Sequence, residues 1–281
     1  MCGLMAKQRQ GLKHAPHPIF ASMRLAFEKW HGTGNDFILI DDRTGEFPAS
    51  DLDLVRRLCD RHFGIGSDGL ILVQGPREAG MDFHMEFFNP DGSKSFCGNG
   101  SRCAFAAWSA LHGRVERARF TAIDGAHEGA WHGEDVAVTL GFVPYVSQGD
   151  DHDFVHNGSP HEVVRVADVD AVEIMVDGPK RAHHERRGPG GTNVNYMRVA
   201  DGVVRMRTFE RGVEAETLSC GTGVVAAALS AMARQEARSP VRVSTRGGQL
   251  IVEAERVDRE GWGKIRLIGP AVRVFTGSIE I

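Results

Sequence analysis

The segment Cys97-Gly98-Asn99-Gly100 opens an alanine-rich stretch that contains Ala104, Ala106 and Ala107. The same arrangement returns as Cys220-Gly221-Thr222-Gly223, ahead of Ala226, Ala227 and Ala228. Positions 97 and 220 are 123 residues apart, close to half of the chain. Repetition at that period predicts two similar halves, each able to bury a face only in company with the rest of its own unit. The chain is expected to be α+β: two pseudo-symmetric domains, each a strand-rich, barrel-like sheet around one central helix, with a cleft between them.

The rest of the pattern fits that frame. Phe27 to Asp41 alternates, breaks at Gly32-Thr33-Gly34-Asn35 and resumes as Phe37-Ile38-Leu39-Ile40. Ser50 is a candidate N-cap for a helix in which Leu52, Val55, Leu58 and Cys59 fall at helical spacing. Leu70 to Val73, Phe83 to Phe88 and Ala118 to Leu140 have strand character. A second half starts after Pro144, with strands expected at Glu162 to Val166, Val194 to Val199 and Val203 to Phe209. After the second alanine-rich helix, three strands (Val241 to Ser244, Gln249 to Glu255, Gly263 to Ile268) and a short tail close the chain. The expected division is a disordered leader at 1–22, an N-terminal half at 23–141 to which about 267–281 returns, and a C-terminal half at 142–266.

Length and composition narrow the function classes. With 281 residues and 42% hydrophobic residues the chain can bury a real core. A net charge of −4 leaves no global pull toward nucleic acid, and the densest basic group, His183 to Arg187, sits beside a glycine-rich loop. No apolar run approaches the ~20 residues of a membrane span, and the first 22 residues lack the core of a secretory signal. Five cysteines without a C-x-x-C pair indicate neither a disulfide framework nor a zinc ribbon, and a reducing cytoplasm is the expected compartment. No metal cluster or dinucleotide fingerprint is visible, so no cofactor is expected. Cys59 and Cys103 are expected in the core, and Cys2 in the leader.

A cysteine at a helix start has free backbone N–H groups and the positive end of the helix dipole beside it. Both favour the thiolate, so a depressed thiol pKa is expected. The glycines allow a ligand to approach bare amides, which form an anion site suited to a carboxylate. Two such elements facing each other place sulfur on both sides of a bound molecule. Racemisation needs this arrangement, because one face of a carbon loses a proton while the opposite face gains one. The amides would stabilise the charge that develops at the α-carbon.

Beyond the cysteines, the chain carries Phe27-Glu-Lys-Trp-His-Gly-Thr-Gly-Asn-Asp-Phe37, Gly64-Ile-Gly-Ser-Asp-Gly-Leu70, Asn89-Pro-Asp-Gly-Ser93 and Gly158-Ser-Pro-His161. It continues with Gly191-Thr-Asn-Val-Asn195, Glu210-Arg-Gly212 and Glu216-Thr-Leu-Ser-Cys-Gly-Thr-Gly223. In this order, from about Met23 to Ile281, these motifs resemble diaminopimelate epimerase. The resemblance implies a cytoplasmic, cofactor-independent isomerase, homodimeric, interconverting LL- and meso-diaminopimelate for lysine and peptidoglycan precursor synthesis. It implies Cys97 and Cys220 as the two acid/base residues, with His161 and Glu210 assisting proton handling. Asn35, Asn89, Ser159, Asn193, Glu210 and Arg211 are implied as substrate-holding positions, and the amides of Gly98, Asn99, Gly221 and Thr222 as the reacting-carboxylate site. A guanidinium such as Arg211 can hold a distal carboxylate bidentately.

The chain departs from that pattern in places. Gly69 stands where some members carry glutamine, and Ser159 where many carry asparagine. The stretch from Asn89 to Cys97 is one residue short and that from Glu210 to Cys220 one residue long. Simpler readings stand beside the functional ones: Asn35 and Asn89 as turn residues and His161 as a hydrogen-bonded loop histidine. Rival functions are another racemase of the same architecture, a thiol redox sensor joining Cys97 to Cys220, and a non-catalytic amino-acid binder. Asn99 after the first Cys-Gly, where proline-racemase-like chains usually show histidine, argues against the first rival.

Overall fold

The computed structural model describes residues 24–257 and 261–281. The expected leader therefore lies outside the described residues, as does Cys2. The first half runs β1 (Arg24–Gly32), β2 (Asn35–Asp41), α1 (Leu52–Cys59), β3 (Gly69–Gln74), β4 (Phe83–Phe88), α2 (Gly98–Leu111), β5 (Arg117–Ala122), β6 (Gly125–His132) and β7 (Asp135–Leu140). The second runs β8 (Val146–Gln148), β9 (His152–His156), β10 (Pro160–Arg165), α3 (Ile174–Ala182), β11 (Asn193–Ala200), β12 (Val203–Glu210), β13 (Ala215–Thr217), α4 (Gly221–Ala233), β14 (Val241–Thr245), β15 (Gly248–Arg256) and β16 (Trp262–Gly269). The last strand, β17 (Val272–Glu280), crosses back to the first half.

Pairing repeats between the halves strand for strand. β2 and β3 are parallel with α1 between them in sequence, and β10 and β11 are parallel with α3 between them. β4 and β5 are parallel across α2, as β12 and β14 are across α4. Antiparallel neighbours complete each half, and β7 paired with β16 joins them.

β2, β3 and β4 are covered on both faces, which is why they are nearly continuous apolar runs. In β2, Phe37 and Leu39 join the cluster around α2, whereas Ile38 and Ile40 join the cluster around α1. β3 divides in the same way, Ile71 and Val73 inward and Leu70 and Leu72 outward. This is the period-2 alternation of a strand between two helices. In the second half, α4 from Val224 to Met232 is enclosed by Val163, Met197, Val204, Val243, Val252 and Leu267. Alanine suits both central helices because its small side chain lets the sheet close around them. Cys59 and Cys103 are buried in the core as expected.

Three local expectations are corrected. The cap of α1 is Asp51, whose carboxylate accepts from Leu54 N at 3.0 Å, and not Ser50. The expected short tail is β17, a nine-residue strand that pairs with β1 along its length. α3 was not expected, since Gly178 and Pro179 lie inside it. Gly178 is needed there because a Cβ would sit 2.7 Å from the Phe209 side chain.

Candidate active site

Cys97 and Cys220 are the N-cap residues of α2 and α4, with extended backbones at φ −130° and −101°. The Gly100 N–H donates to Cys97 Sγ at 3.3 Å, and Thr222 Oγ1 lies 3.6 Å from Cys220 Sγ. The two helix starts meet closely. A Cβ at Gly98 would lie 3.1 Å from Leu267 Cδ2, and one at Gly221 would lie 3.2 Å from the same methyl and 3.4 Å from the Asn99 backbone nitrogen. Asn99 ties the helix starts together, its Nδ2 donating to Ser219 O at 2.9 Å. Two positive helix ends thus converge on one place.

Both thiols open onto a cleft of about 870 Å³. Of the residues singled out from sequence, Asn35, Asn89, Ser159, Asn193, Glu210, Arg211 and Thr222 line it with the two cysteines. Gly98, Asn99 and Gly221 form the helix starts behind it. His161 is fully buried and does not line the cleft; its Nδ1 lies 3.2 Å from Asn195 Nδ2, and its Nε2 has no hydrogen-bond partner among the described residues. The asparagines are partly committed to the scaffold. Asn193 Oδ1 accepts from the Arg211 N–H at 3.0 Å, and Asn89 Nδ2 donates to Ser93 Oγ at 3.0 Å within its own turn. The Arg211 guanidinium donates to Gly190 O at 2.9 Å.

The expected depression of the thiol pKa is reversed. Burial pushes Cys97 up to about 11, outweighing the Gly100 N–H, and the Glu210 charge adds to the rise. Cys220 is pushed up by burial and then by Glu210, against the smaller effects of Thr222 and Gly223. Desolvation of a charged sulfur exceeds what a helix start returns to it. Glu210 is itself raised by burial, against the hydrogen bond from Thr217 Oγ1 at 2.8 Å. Burial pulls His161 down to about 3, with His156 and Arg211 contributing.

Two of the four departures have physical accounts. A Cβ at Gly69 would lie 2.4 Å from the Phe87 ring, so the ring takes the space of any side chain there. The added residue before Cys220 is absorbed in a turn outside the strands, where Glu214 N donates to Glu210 O at 2.9 Å and Glu214 adopts φ 58°. Asp36, Arg61 and Asp68 also line the cleft and were not singled out from sequence. Asp36 and Asp68 lie within two of the motifs, which was the available signal; Arg61 had none. Among the described residues the grouping most like a metal site is Asp151, His152 and Glu162. It is filled by guanidinium groups: Arg181 reaches Asp151 at 2.9 Å and Glu162 at 2.7 Å, and Arg187 bonds Glu162.

The family model for diaminopimelate epimerase matches residues 27–146 and again 153–274, one match to each half. The chain belongs to the diaminopimelate epimerase family. A diaminopimelate epimerase of Flavobacterium psychrophilum is 37% identical over 255 residues, covering 89% of this chain and 98% of that protein. One from Aromatoleum aromaticum is 38% identical, covering 92% of this chain and all of its own length. Among solved structures, a Bacillus anthracis phenazine biosynthesis protein of the PhzF family superposes with TM-score 0.70 at 13% identity, covering 92% of this chain and 100% of its own. A hydroxyproline epimerase from Agrobacterium vitis gives TM-score 0.65 at 16% identity, covering 92% and 93%. At such identities these two likenesses establish the two-domain fold alone. Among the described residues no helix is long and apolar enough to cross a membrane.

Proposed function

We propose that this chain interconverts LL- and meso-diaminopimelate through Cys97 and Cys220, one as thiolate and one as thiol. The observation that carries the reading is that two cysteine-capped helix starts converge on one cleft. The thiolate takes the α-proton from one face and becomes a thiol. The electron pair left on carbon takes a proton from the opposite thiol, which becomes the thiolate, so the reverse reaction starts from the product state. The amides of Gly98, Asn99, Gly221 and Thr222 receive the reacting carboxylate, as helix N-termini receive anions. Arg211 and Glu210, with Asn35, Asn89, Ser159 and Asn193, hold the remaining polar groups. His161 acts from behind the site, its neutral ring fitting a role without charge.

The same reading takes 23–141 with 267–281 as one domain and 142–266 as the other, in a cytoplasmic homodimer. The dimer is supported by exposed Val272, Val274 and Phe275 on β17, beside a groove lined by Phe27, Leu39 and Leu111. Proton NMR in deuterated water tests the function: diaminopimelate should lose its α-proton signal while its stereoisomers equilibrate. Exchange with proline or glutamate and none with diaminopimelate would assign the chain to another racemase. No exchange with any amino acid would leave a binder or a redox sensor.

A further inference from the structure

Asn35 stands between a carboxylate and a thiol. Its Nδ2 donates to Asp68 Oδ2 at 2.9 Å, and its Oδ1 lies 3.8 Å from Cys97 Sγ. A carboxylate only accepts hydrogen bonds, so it dictates which end of the amide turns toward it. The NH2 group faces Asp68, and the carbonyl oxygen is left facing the sulfur. Asn99 enforces the same orientation from the other side, its Nδ2 donating to Ser219 O at 2.9 Å and to Asn35 Oδ1 at 3.3 Å. Arg61 fixes Asp68, lying 2.7 Å from Asp68 Oδ1 and 2.7 Å from Asp36 Oδ1. Lys29 closes the network on Asp36. A polar chain therefore runs from exposed Arg61, through Asp68, Asn35 and Asn99, to the carbonyl immediately before Cys220.

A carbonyl oxygen accepts a hydrogen bond from S–H and repels S⁻, whereas an amide NH2 group does the reverse. We propose that Asp68 is a positioning residue: by holding the Asn35 carboxamide with its oxygen toward Cys97, it keeps that sulfur in the S–H form. The other groups acting on Cys97 are Glu210, which disfavours the thiolate, and Arg102 with the Gly100 and Asn99 N–H groups, which favour it. Cys220 faces Cys97 across the cleft. Asp68 carries its own negative charge, which acts on the sulfur in the same direction, so the test has to separate orientation from field. The proposal rests on the reading of Cys97 as a proton carrier, but its test does not require turnover.

The test is the iodoacetamide alkylation rate of Cys97 and of Cys220, resolved by peptide mass spectrometry. The Asp68 side chain is 44% exposed, so its replacement leaves the core untouched. Asp68→Ala leaves only the longer Asn99 contact holding the Asn35 amide, so its NH2 can turn toward sulfur. Cys97 alkylation at about pH 8 should rise about three- to tenfold while Cys220 stays within about twofold, rate following the thiolate fraction. Asp68→Asn, which can still accept one bond, should give a smaller rise. In an Asn35→Leu background, Asp68→Ala should raise the Cys97 rate by less than about twofold, the remainder left by the Asp68 charge alone. An unchanged Cys97 rate overturns the proposal. So does a rise that persists undiminished with Leu at 35, which would be a direct field effect, or equal acceleration of both cysteines, which would be loosening of the site. Absence of diaminopimelate epimerisation by the unaltered protein, with this alkylation pattern intact, would count against the diaminopimelate reading alone.

Discussion

Cys97 and Cys220 occupy equivalent positions in the two halves and different surroundings. Cys97 looks at the Asn35 carbonyl and the Gly100 N–H, whereas Cys220 lies by Thr222 and close to Glu210. Neither can replace the other, because each serves one face of the carbon. Cys97→Ala and Cys220→Ala should each lower kcat by at least about a hundredfold, the usual share of a positioned acid or base, with melting temperature nearly unchanged. Retention of a tenth of the activity in either variant would rule out the two-thiol scheme. Arg211 belongs to the far end of the substrate. Arg211→Met should lower kcat/KM for diaminopimelate by about ten- to a hundredfold, the loss of one charge-assisted hydrogen bond. Any residual turnover of a monocarboxylic amino acid should be unaffected, and an equal loss for both would make Arg211 structural. The two cysteines were legible because each opens a repeated helix start, and the Asn, Glu and Arg positions because they stand in the ordered motifs that carry the family resemblance. The direction of the thiol pKa was not, because it depends on burial by segments remote in sequence, and neither was the Arg61–Asp68–Asn35 chain, which is assembled from separate elements.

At the scale of elements, the Cys-Gly-x-Gly repeat located both central helices, and apolar runs located most strands. The misses have local causes. α3 contains Gly178 and Pro179, residues that disfavour a helix interior, and forms because Ile174 and Ala182 pack with Val194, Tyr196 and Phe209. β17 has no continuous buried face, so its sequence lacks the alternation that marked the other strands; its pairing with β1 defines it. The glycines of the repeat are required by close approach. A Cβ at Gly223 would lie 2.4 Å from Asn195 Oδ1. Asn195 cannot move away easily, since it bonds Glu162 O at 3.1 Å and Thr208 Oγ1 at 3.0 Å. Gly223→Ala should therefore destabilise the protein by about 1–3 kcal/mol in urea unfolding, despite alanine's higher helix propensity. Gly113→Ala is the control for backbone strain without crowding, because its Cβ would meet nothing within 4 Å although φ is 77°. If Gly223→Ala costs no more than Gly113→Ala, close approach at the second helix start does not limit the fold.

The whole molecule buries ionisable groups in neutral form within both halves, and these shape how its stability depends on pH. His161 is fully buried and its folded pKa is pulled from 6.5 to about 3. Above 6.5 the ring is neutral whether the chain is folded or not. As pH falls from 6.5 toward 3 the unfolded chain binds a proton that the folded chain refuses, so stability is lost on the acid side. The thiols have the opposite sign. Cys97 and Cys103 are raised from 9.0 to about 11 and about 12, so their contribution is complete below 9.0 and is lost as pH rises toward those values. In urea unfolding across pH, His161 and these thiols should therefore contribute a plateau between about 6.5 and about 9 with a fall on either side, each proton contributing a slope of about 1.4 kcal/mol per pH unit. His161→Gln should flatten the acid limb by about one proton between pH 6 and pH 4 and leave the alkaline limb alone. Cys103→Ala should flatten the alkaline limb and leave the acid limb alone. A His161→Gln variant with the full acid slope would mean that the ring is protonated in the folded protein, and its role as a neutral group behind the site would have to be given up.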